Sequence, residues 1–362
     1  MSEKNRKRLY PFKFVPTEFE KPWGTEKWTV ADLGFADSEI SEGWLAGNTM
    51  SDLMETYLER VTGESVYQGY GRQFPVFVKF ADIHGRMPLT VHPDDSVAVQ
   101  RYDALGKAKL WYVQDAAPDA RLYIGFKRQV SASEFYEKCL DGTVYGLMNE
   151  VVPAKGSHWF IAPGTVHAAS GKVKLACICE SSDADFVLHN PYDTQEDKDT
   201  RMLHISESFD FINMDKSAIE EGRIDCAPDA AESTIVLRKE FNAAQFNLSA
   251  PLHIFTEKYG SYIVYACVAG EAAVQVQGED GNMENYVVPE GEAVLIPAEV
   301  PDFFLVPRDR DTVLLEVVTL PSDDLDEYID PNTEPFLEGE DYGGLEDGDG
   351  NLDDEVSEDD EN

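Results

Sequence analysis

Two short stretches decide the fold of this chain, MPLTVHPDD at residues 87–95 and APGTVH at residues 162–167. Each places a single histidine, His92 or His167, at the end of a run with β propensity and beside a proline. Short strands that end this way are typical of β-sandwiches and barrels. We therefore expect both histidines at one end of a barrel, where they indicate a metal site or a sugar site. Each histidine taken alone favours a hydrogen-bonded structural role, and only the paired context makes a ligand role equally consistent with the sequence.

Composition sets limits on what the chain binds. Its 362 residues are enough for two domains, and its formal charge is −39 at pH 7. Because phosphate backbones are bound by cationic surfaces, we expect no nucleic-acid partner. No apolar run approaches the roughly 18 residues of a membrane span, so we expect no membrane partner. The basic, polar segment Met1 to Tyr10 is followed by no apolar segment, and we expect no secretory signal.

The cysteines indicate a reducing compartment. Their number is odd and their spacing is irregular, at Cys139, Cys177, Cys179, Cys226 and Cys267. This pattern favours free thiols in the cytoplasm over a disulfide framework. Cys177 and Cys179 would share one face of a strand, either as small core side chains or as metal or redox groups.

Most of the chain reads as short strands broken by Gly, Pro, Asn and Asp. The strands form two groups, over residues 23–193 and 235–320. Helices are predicted only over short stretches such as residues 48–59, capped by Ser51, and residues 131–140. The turn at residues 289–292 echoes that at residues 161–164. We therefore predict a mainly β fold of two related jelly-roll barrels with a few short helices.

This pattern divides the chain into four parts. Residues 1–19 form an N-terminal arm, residues 20–215 a first barrel with short helices, and residues 216–321 a second barrel without strand-end histidines. Residues 322–362 form an acidic tail. Between Pro321 and Asn362 there are 19 Asp and Glu and neither Lys nor Arg. A segment so charged and so poor in apolar residues is predicted to be disordered.

Strand alternation identifies the side chains that face the barrel interior. Thr90 and His92 alternate with apolar residues and so share one face. By the same rule Lys107, Lys109 and Trp111 share a face of the following strand. If the apolar neighbours form the packing layer, these polar side chains point into the lumen.

Several short motifs follow one another between residues 20 and 320: KPWG (21–24), SEGW (41–44), FPVFVKFAD (74–82), VHPDD (91–95), GKAKLWY (106–112), PGTVHA (163–168), SD (182–183) and LHI (203–205). In this order the set resembles type I mannose-6-phosphate isomerase (phosphomannose isomerase), a zinc-dependent family of the cupin superfamily. Each motif alone is weak, whereas the ordered set is specific.

The resemblance implies an aldose–ketose isomerase that interconverts mannose 6-phosphate and fructose 6-phosphate through an enediol, while zinc polarises the sugar oxygens. It implies a small-molecule sugar phosphate as substrate. The family's zinc ligands are Gln, His, Glu and His. The two histidines correspond to His92 and His167, whereas the Gln position is Thr90 and the Glu position is Lys109.

Two further family positions differ in this chain. A serine linked to phosphate binding corresponds to Pro88, and an arginine linked to the active site corresponds to Val187.

These replacements change the expected chemistry of the site. A protonated Lys109 cannot ligate, and two unit charges about 4 Å apart repel by roughly 4 kcal/mol at an effective dielectric constant near 20. Thr90 offers only a neutral oxygen, and two histidines alone rarely hold zinc tightly. We therefore expect zinc not to bind in the family's manner unless Glu180, Cys177 or Cys179 completes the site.

Three hypotheses remain open: an isomerase with a rearranged metal site, an isomerase in which Lys109 replaces the metal, or a non-catalytic, sugar-phosphate-binding cupin. In the second, the ammonium stabilises enediolate charge or holds the phosphate. The candidate residues are Lys109 and Lys107 for catalysis, Thr90, Lys79 and Trp23 for substrate, and His92 and His167 for metal. Lys79 is equally consistent with a structural ion pair, and Trp23 with a core position.

Overall fold

The computed structural model describes residues 7–215, 222–224 and 230–320. Helices within these ranges are short. The α-helices are α1 (Met50–Thr56), α2 (Glu59–Thr62), α3 (Glu64–Tyr70), α4 (Asp95–Tyr102), α5 (Ala132–Asp141) and α6 (Lys198–Ser208). Turns of 3-10 helix lie at Val144–Leu147, Gln195–Asp197 and Thr256–Lys258.

Strands make up the rest of the regular structure. The first fourteen are β1 (Phe12–Val15), β2 (Thr17–Lys21), β3 (Gly24–Val30), β4 (Glu39–Ile40), β5 (Val76–Ile83), β6 (Leu89–Val91), β7 (Lys109–Ala116), β8 (Arg121–Phe126), β9 (Met148–Val151), β10 (His158–Ile161), β11 (His167–Ser170), β12 (Val173–Glu180), β13 (Phe186–His189) and β14 (Arg223–Ile224). The others are β15 (Glu232–Leu237), β16 (Asn242–Leu248), β17 (Leu252–Phe255), β18 (Ile263–Ala269), β19 (Glu271–Gln277), β20 (Met283–Pro289), β21 (Ala293–Ile296), β22 (Asp302–Pro307) and β23 (Thr312–Val318).

The strands pair antiparallel in four sheets. Sheet I has the order β14-β10-β7-β12-β5-β3-β2 and sheet II the order β13-β6-β11-β8-β9. Sheet III has the order β15-β16-β23-β18-β21-β1-β4 and sheet IV the order β17-β22-β19-β20. Sheets I and II form the first barrel, and sheets III and IV form the second. The predicted mainly β fold with two jelly-roll barrels and a few short helices is confirmed.

Alternation along the strands of sheet I produces two buried faces. Phe77, Ala81, Trp111 and Cys177 belong to the core inside the first barrel. The opposite face of sheet I joins the core that contains the second barrel. A sheet covered on both sides is apolar on both faces, so polar side chains on its inner face indicate a site.

Two strands lie in one predicted region of the chain but pair with a strand of another region. β1 lies in the predicted arm but pairs with β21 of sheet III, with Phe12 opposite Leu295. β14 lies beyond residue 215 but pairs with β10 of sheet I. The predicted acidic tail, residues 322–362, lies outside the described residues.

The cap of the first helix lies two residues before the predicted cap, Ser51. Thr49 caps α1, because its hydroxyl accepts the Asp52 N–H while the Asp52 carboxylate accepts the Thr49 N–H at 2.9 Å. The Ser51 hydroxyl instead donates to Asp32 at 2.9 Å. Ser131 caps α5, accepting the Glu134 N–H at 3.2 Å. Within the described ranges, no helix combines the length and apolarity needed to cross a membrane.

Candidate functional site

Two neighbouring strand ends bring the predicted histidines together. His92 follows β6, and His167 begins β11 with Thr90 as its antiparallel partner. Gly164, at a φ of +78°, allows the turn before β11 to approach β6, and its N–H donates to the His92 carbonyl at 2.7 Å. The two imidazole rings lie 5.1 Å apart between centroids.

Lys109 reaches this pair from the opposite sheet. It opens β7, and its Nζ lies 3.3 Å from His167 Nε2, while Thr90 Oγ1 lies 3.4 Å from the same nitrogen. His167 Nδ1 lies 2.8 Å from the Thr165 carbonyl. Because a carbonyl only accepts, Nδ1 carries the proton and Nε2 presents its lone pair to the amine. The Trp111 ring packs edge-on against the His167 ring, with 5.3 Å between their centroids.

Asp185 completes the cluster, and no sequence motif indicates it. Its Oδ1 lies 3.0 Å from His92 Nδ1 and 2.8 Å from Lys107 Nζ. His92 Nδ1 also lies 3.2 Å from the Ala184 carbonyl. The proton of His92 is therefore on Nδ1, and its buried Nε2 has no hydrogen-bond partner among the described residues. We call His92, Lys107, Lys109, His167 and Asp185 the lumen cluster.

Burial and charge set the protonation of the lumen cluster. Burial, followed by the charge of Lys109, lowers the pKa of His92 to about 3 and holds that of His167 well below its usual value. Burial alone would raise the pKa of Asp185, but the facing Lys107 and His92 hold it well below its usual range. Both histidines are therefore neutral, and Asp185 is ionised.

Lys109 is the most perturbed cation of the cluster. Burial is the main cause that lowers its pKa to about 8. The Asp185 carboxylate opposes this shift, whereas the positive charges of Lys107 and Lys79 add to it. A lysine with such a pKa exchanges a proton near neutral pH.

These side chains do not fit a zinc ion. The amine of Lys109 lies beside His167 Nε2. The Nε2 of His92 has no hydrogen-bond partner among the described residues, and so no carboxylate lies beside it. Over residues 7–215, 222–224 and 230–320, no three His, Cys, Asp or Glu side chains come together in a group that could hold a metal. Structural and catalytic zinc sites need at least three protein ligands.

The residues predicted as possible substitutes for the missing ligands lie elsewhere. Cys177 and Cys179 are free thiols within the first barrel core, and burial raises the pKa of Cys177 to about 12. Glu180 accepts a hydrogen bond from the Ala108 N–H at 2.6 Å. None of the three forms a metal-binding group with the histidines.

The other predicted substrate-binding residues lie in the wall of the barrel. Lys79 forms an ion pair with Glu26, which is only 6% exposed, and stands opposite Cys177. Burial would lower the pKa of Lys79, but the Glu26 carboxylate raises it overall. Trp23 is buried in the first barrel core.

Comparison with known proteins places this site in a family context. No protein-family model matches the chain. The mannose-6-phosphate isomerase ManA of Bacillus subtilis is 24% identical over 319 residues, which cover 82% of this chain and 95% of ManA. The chain is a relative of the mannose-6-phosphate isomerases.

Two further matches agree with this relationship. The probable mannose-6-phosphate isomerase GmuF of Bacillus subtilis is 28% identical over 191 residues, an alignment that spans 52% of this chain and 58% of GmuF. The crystal structure of the mannose 6-phosphate isomerase from Bacillus subtilis matches with a TM-score of 0.70 at 21% identity, covering 85% of this chain and 99% of that chain. The resemblance predicted from the motifs is confirmed. The chain shares the fold of that structure, and Thr90 and Lys109 stand where the resemblance implies Gln and Glu ligands.

Proposed function

We propose that this protein is an aldose–ketose isomerase for sugar phosphates, of the mannose 6-phosphate and fructose 6-phosphate type, in which Lys109 acts without zinc. The observation that carries this proposal is the 3.3 Å approach of Lys109 Nζ to His167 Nε2 inside the barrel. The amine lies where the resemblance implies a metal ligand, beside both histidines of the motif.

The reaction requires stabilisation of negative charge. Isomerisation moves a proton between adjacent carbons through an enediol, and charge develops on the sugar oxygens. A cation in a buried site stabilises such charge more strongly than one in water. Lys109 and Lys107, 8% and 5% exposed, supply that cationic environment.

The proton that moves between the sugar carbons requires an acceptor in the lumen. Asp185 and the Ala184 carbonyl hold the His92 Nδ1 proton, so Nε2 keeps a lone pair directed away from them. His92 is therefore the candidate proton acceptor, and the Asp185 carboxylate would stabilise the imidazolium that forms, which the lowered pKa of His92 otherwise disfavours. His167 accepts from Lys109 and orients the amine.

The zinc that the resemblance implies has no role in this proposal, because the residues present do not fit it. We also place the protein in the cytoplasm. The four cysteines among the described residues are all free, which supports a reducing environment.

A second function is favoured by the low accessibility of the cluster. His92 and His167 are 2% and 1% exposed, so both side chains are enclosed in the barrel interior with little access to solvent. This favours a non-catalytic cupin that binds a sugar phosphate near the half-exposed Asp185.

The test combines metal analysis with turnover. The purified full chain is assayed for mannose 6-phosphate and fructose 6-phosphate interconversion with and without a chelator, and its zinc content is measured. We expect turnover that survives chelation, with zinc far below one ion per chain. Stoichiometric zinc with chelator-sensitive turnover would overturn the metal-free proposal.

A variant and a binding assay separate the remaining readings. Lys109→Glu restores the carboxylate implied by the resemblance, so it should gain zinc affinity and lose metal-free turnover. An unchanged turnover in this variant would remove Lys109 from the mechanism. Absence of wild-type turnover together with sugar-phosphate binding by calorimetry would favour the non-catalytic function.

A further inference from the structure

A buried carboxyl group lies directly behind the lumen cluster. Glu180 is the last residue of β12 and is 1% exposed. Cys177 and Cys179 lie in the first barrel core, so strand alternation directs Glu180 to the opposite face, toward the second barrel. It does not contact the lumen and has no part in the proposed chemistry.

Glu180 holds the backbone between the two lysines of the cluster. Its Oε2 accepts the Ala108 N–H at 2.6 Å, and its own N–H donates to the Ala108 carbonyl at 3.2 Å. Ala108 separates Lys107 from Lys109. Both peptide groups of this residue are thus bound to a single residue of the neighbouring strand.

The second oxygen of Glu180 leads to another carboxyl group. Its Oε1 has no hydrogen-bond partner among the described residues. Burial first, and the charge of Asp95 second, raises the pKa of Glu180 well above its usual value.

Asp95 restrains the backbone on the N-terminal side of Lys107, as Glu180 does on its C-terminal side. Its Oδ1 accepts the Gly106 N–H at 2.9 Å, and its Oδ2 lies 3.5 Å from Lys239 Nζ of the second barrel. A Cβ on Gly106 would approach Asp95 N to 2.5 Å, so this contact requires glycine. Lys107 N–H donates to the Pro93 carbonyl at 3.1 Å.

The segments that meet at this carboxyl pair carry the lumen cluster. Pro93 follows His92, residues 106–109 carry both lysines, and the loop after Glu180 carries Asp185. The other ionisable groups that face Glu180 are Tyr70 and Glu240, which interact with it electrostatically. No ligand, metal or substrate contact is needed to explain the arrangement.

We propose that Glu180, together with Asp95, is a positioning residue that holds Lys107 and Lys109 in the barrel lumen. The hydrogen bonds to Ala108 and Gly106 fix the backbone from which both amines project. The inference rests on the proposed function only where it predicts an effect on turnover. The reactivity of the two lysines is measured independently of turnover.

The first test is the reactivity of the lysines themselves. The folded protein is treated briefly with acetic anhydride, and acetylation of Lys107 and Lys109 is quantified by mass spectrometry relative to the exposed Lys174. In Glu180→Ala both relative rates should rise about tenfold, the change expected for loss of one buried hydrogen bond. In Glu180→Gln they should stay within about twofold, because the amide oxygen still accepts the Ala108 N–H.

Two controls separate positioning from general destabilisation. Val274→Ala removes a fully buried side chain in the second barrel and should leave both relative rates unchanged. Asp95→Ala lies at the partly exposed start of α4 and should raise them even if Glu180→Ala does not fold. Wild-type rates in Glu180→Ala or Asp95→Ala, or an equal rise in Glu180→Gln, would overturn the inference.

Turnover provides the readout that depends on the proposed function. Glu180→Ala should lower kcat with little change in KM, and Glu180→Gln should rescue it. If the wild-type protein has no isomerase turnover, the proposed function fails while the acetylation rates still decide the role of Glu180.

Discussion

The two barrels bury polar groups in different ways. In the second barrel, the Glu316 carboxylate accepts hydrogen bonds from Tyr259 at 3.1 and 3.0 Å and from Tyr265 at 2.5 Å, and Tyr265 packs against Phe303 of the facing sheet. In the first barrel, His92 Nε2 has no hydrogen-bond partner among the described residues. A closed network contributes to stability, whereas an unpaired buried nitrogen retains the capacity to bind or to accept a proton.

The comparison also concerns charge. The lumen cluster contains two lysines facing one carboxylate, and the second lumen contains one carboxylate facing two tyrosines. Over the described part of the second barrel the sole histidine is His253, which lies on an outer strand beside Asp302. The same architecture thus supports chemistry in one barrel and packing in the other.

The largest expected effect is on turnover through the first lumen. Lys109→Met keeps most of the length of the side chain and removes its charge, so isomerase kcat should fall by about 100- to 1000-fold, the cost of losing one preorganised charge-stabilising group. The matched control Lys174→Met removes a lysine that is 53% exposed and should retain wild-type kcat. A wild-type rate in Lys109→Met would assign the chemistry to another group.

A smaller effect is expected on stability through the second lumen. Glu316→Leu leaves the hydroxyls of the buried Tyr265 and the partly buried Tyr259 without their acceptor and should lower the free energy of unfolding by about 3 kcal/mol. Turnover below the melting temperature should not change. The control Glu257→Leu, at an exposed site, should stay within about 0.5 kcal/mol. If turnover falls in the folded Glu316→Leu variant, the second lumen contributes to the chemistry after all.

The pH dependence of stability should also distinguish the second lumen. Burial, only partly offset by hydrogen bonds from Tyr265 and Tyr259, raises the pKa of Glu316. The unfolded chain therefore ionises first, and this group lowers the free energy of unfolding as pH rises from its unfolded pKa through its folded pKa. Glu316→Gln cannot ionise, so denaturant titrations should show the variant gaining relative to wild type between pH 4 and pH 7. A constant difference over that range would contradict the raised pKa.

The smallest effect is expected at Thr90. Its hydroxyl lies 3.4 Å from His167 Nε2, at the long limit of a hydrogen bond, and Lys109 contacts the same nitrogen. Thr90→Val keeps the shape of the side chain and should change kcat by no more than about threefold. A loss as large as that of Lys109→Met would place Thr90 in direct contact with the substrate.

Strand alternation was sufficient to predict much of the first lumen. The period of two placed Thr90 and His92 on one face, and Lys109 and Trp111 on another, and these side chains do converge around His167. The turn with Gly164 marked the strand end. Such signals are local, because a strand's alternation and a turn's backbone are set by neighbouring residues.

The remaining partners depend on contacts between distant segments. Asp185 lies 93 residues after His92 along the chain, and no periodicity relates the two. The N-terminal arm provides another case. β1 pairs with β21 of sheet III, and both β21 and the central strand β18 of that sheet lie after residue 260. Registers between distant strands follow from packing of the whole barrel rather than from local preference.

By itself, therefore, the sequence determined the mainly β fold, the two barrels and the replacement of a carboxylate by Lys109 beside a histidine pair. Only the tertiary structure decided that Lys109 contacts His167, that Asp185 links His92 to Lys107, and that Glu180 turns away from the lumen toward Asp95. The physical reason is that propensity and alternation act within a segment. The protonation and partners of a buried group depend on every segment packed against it.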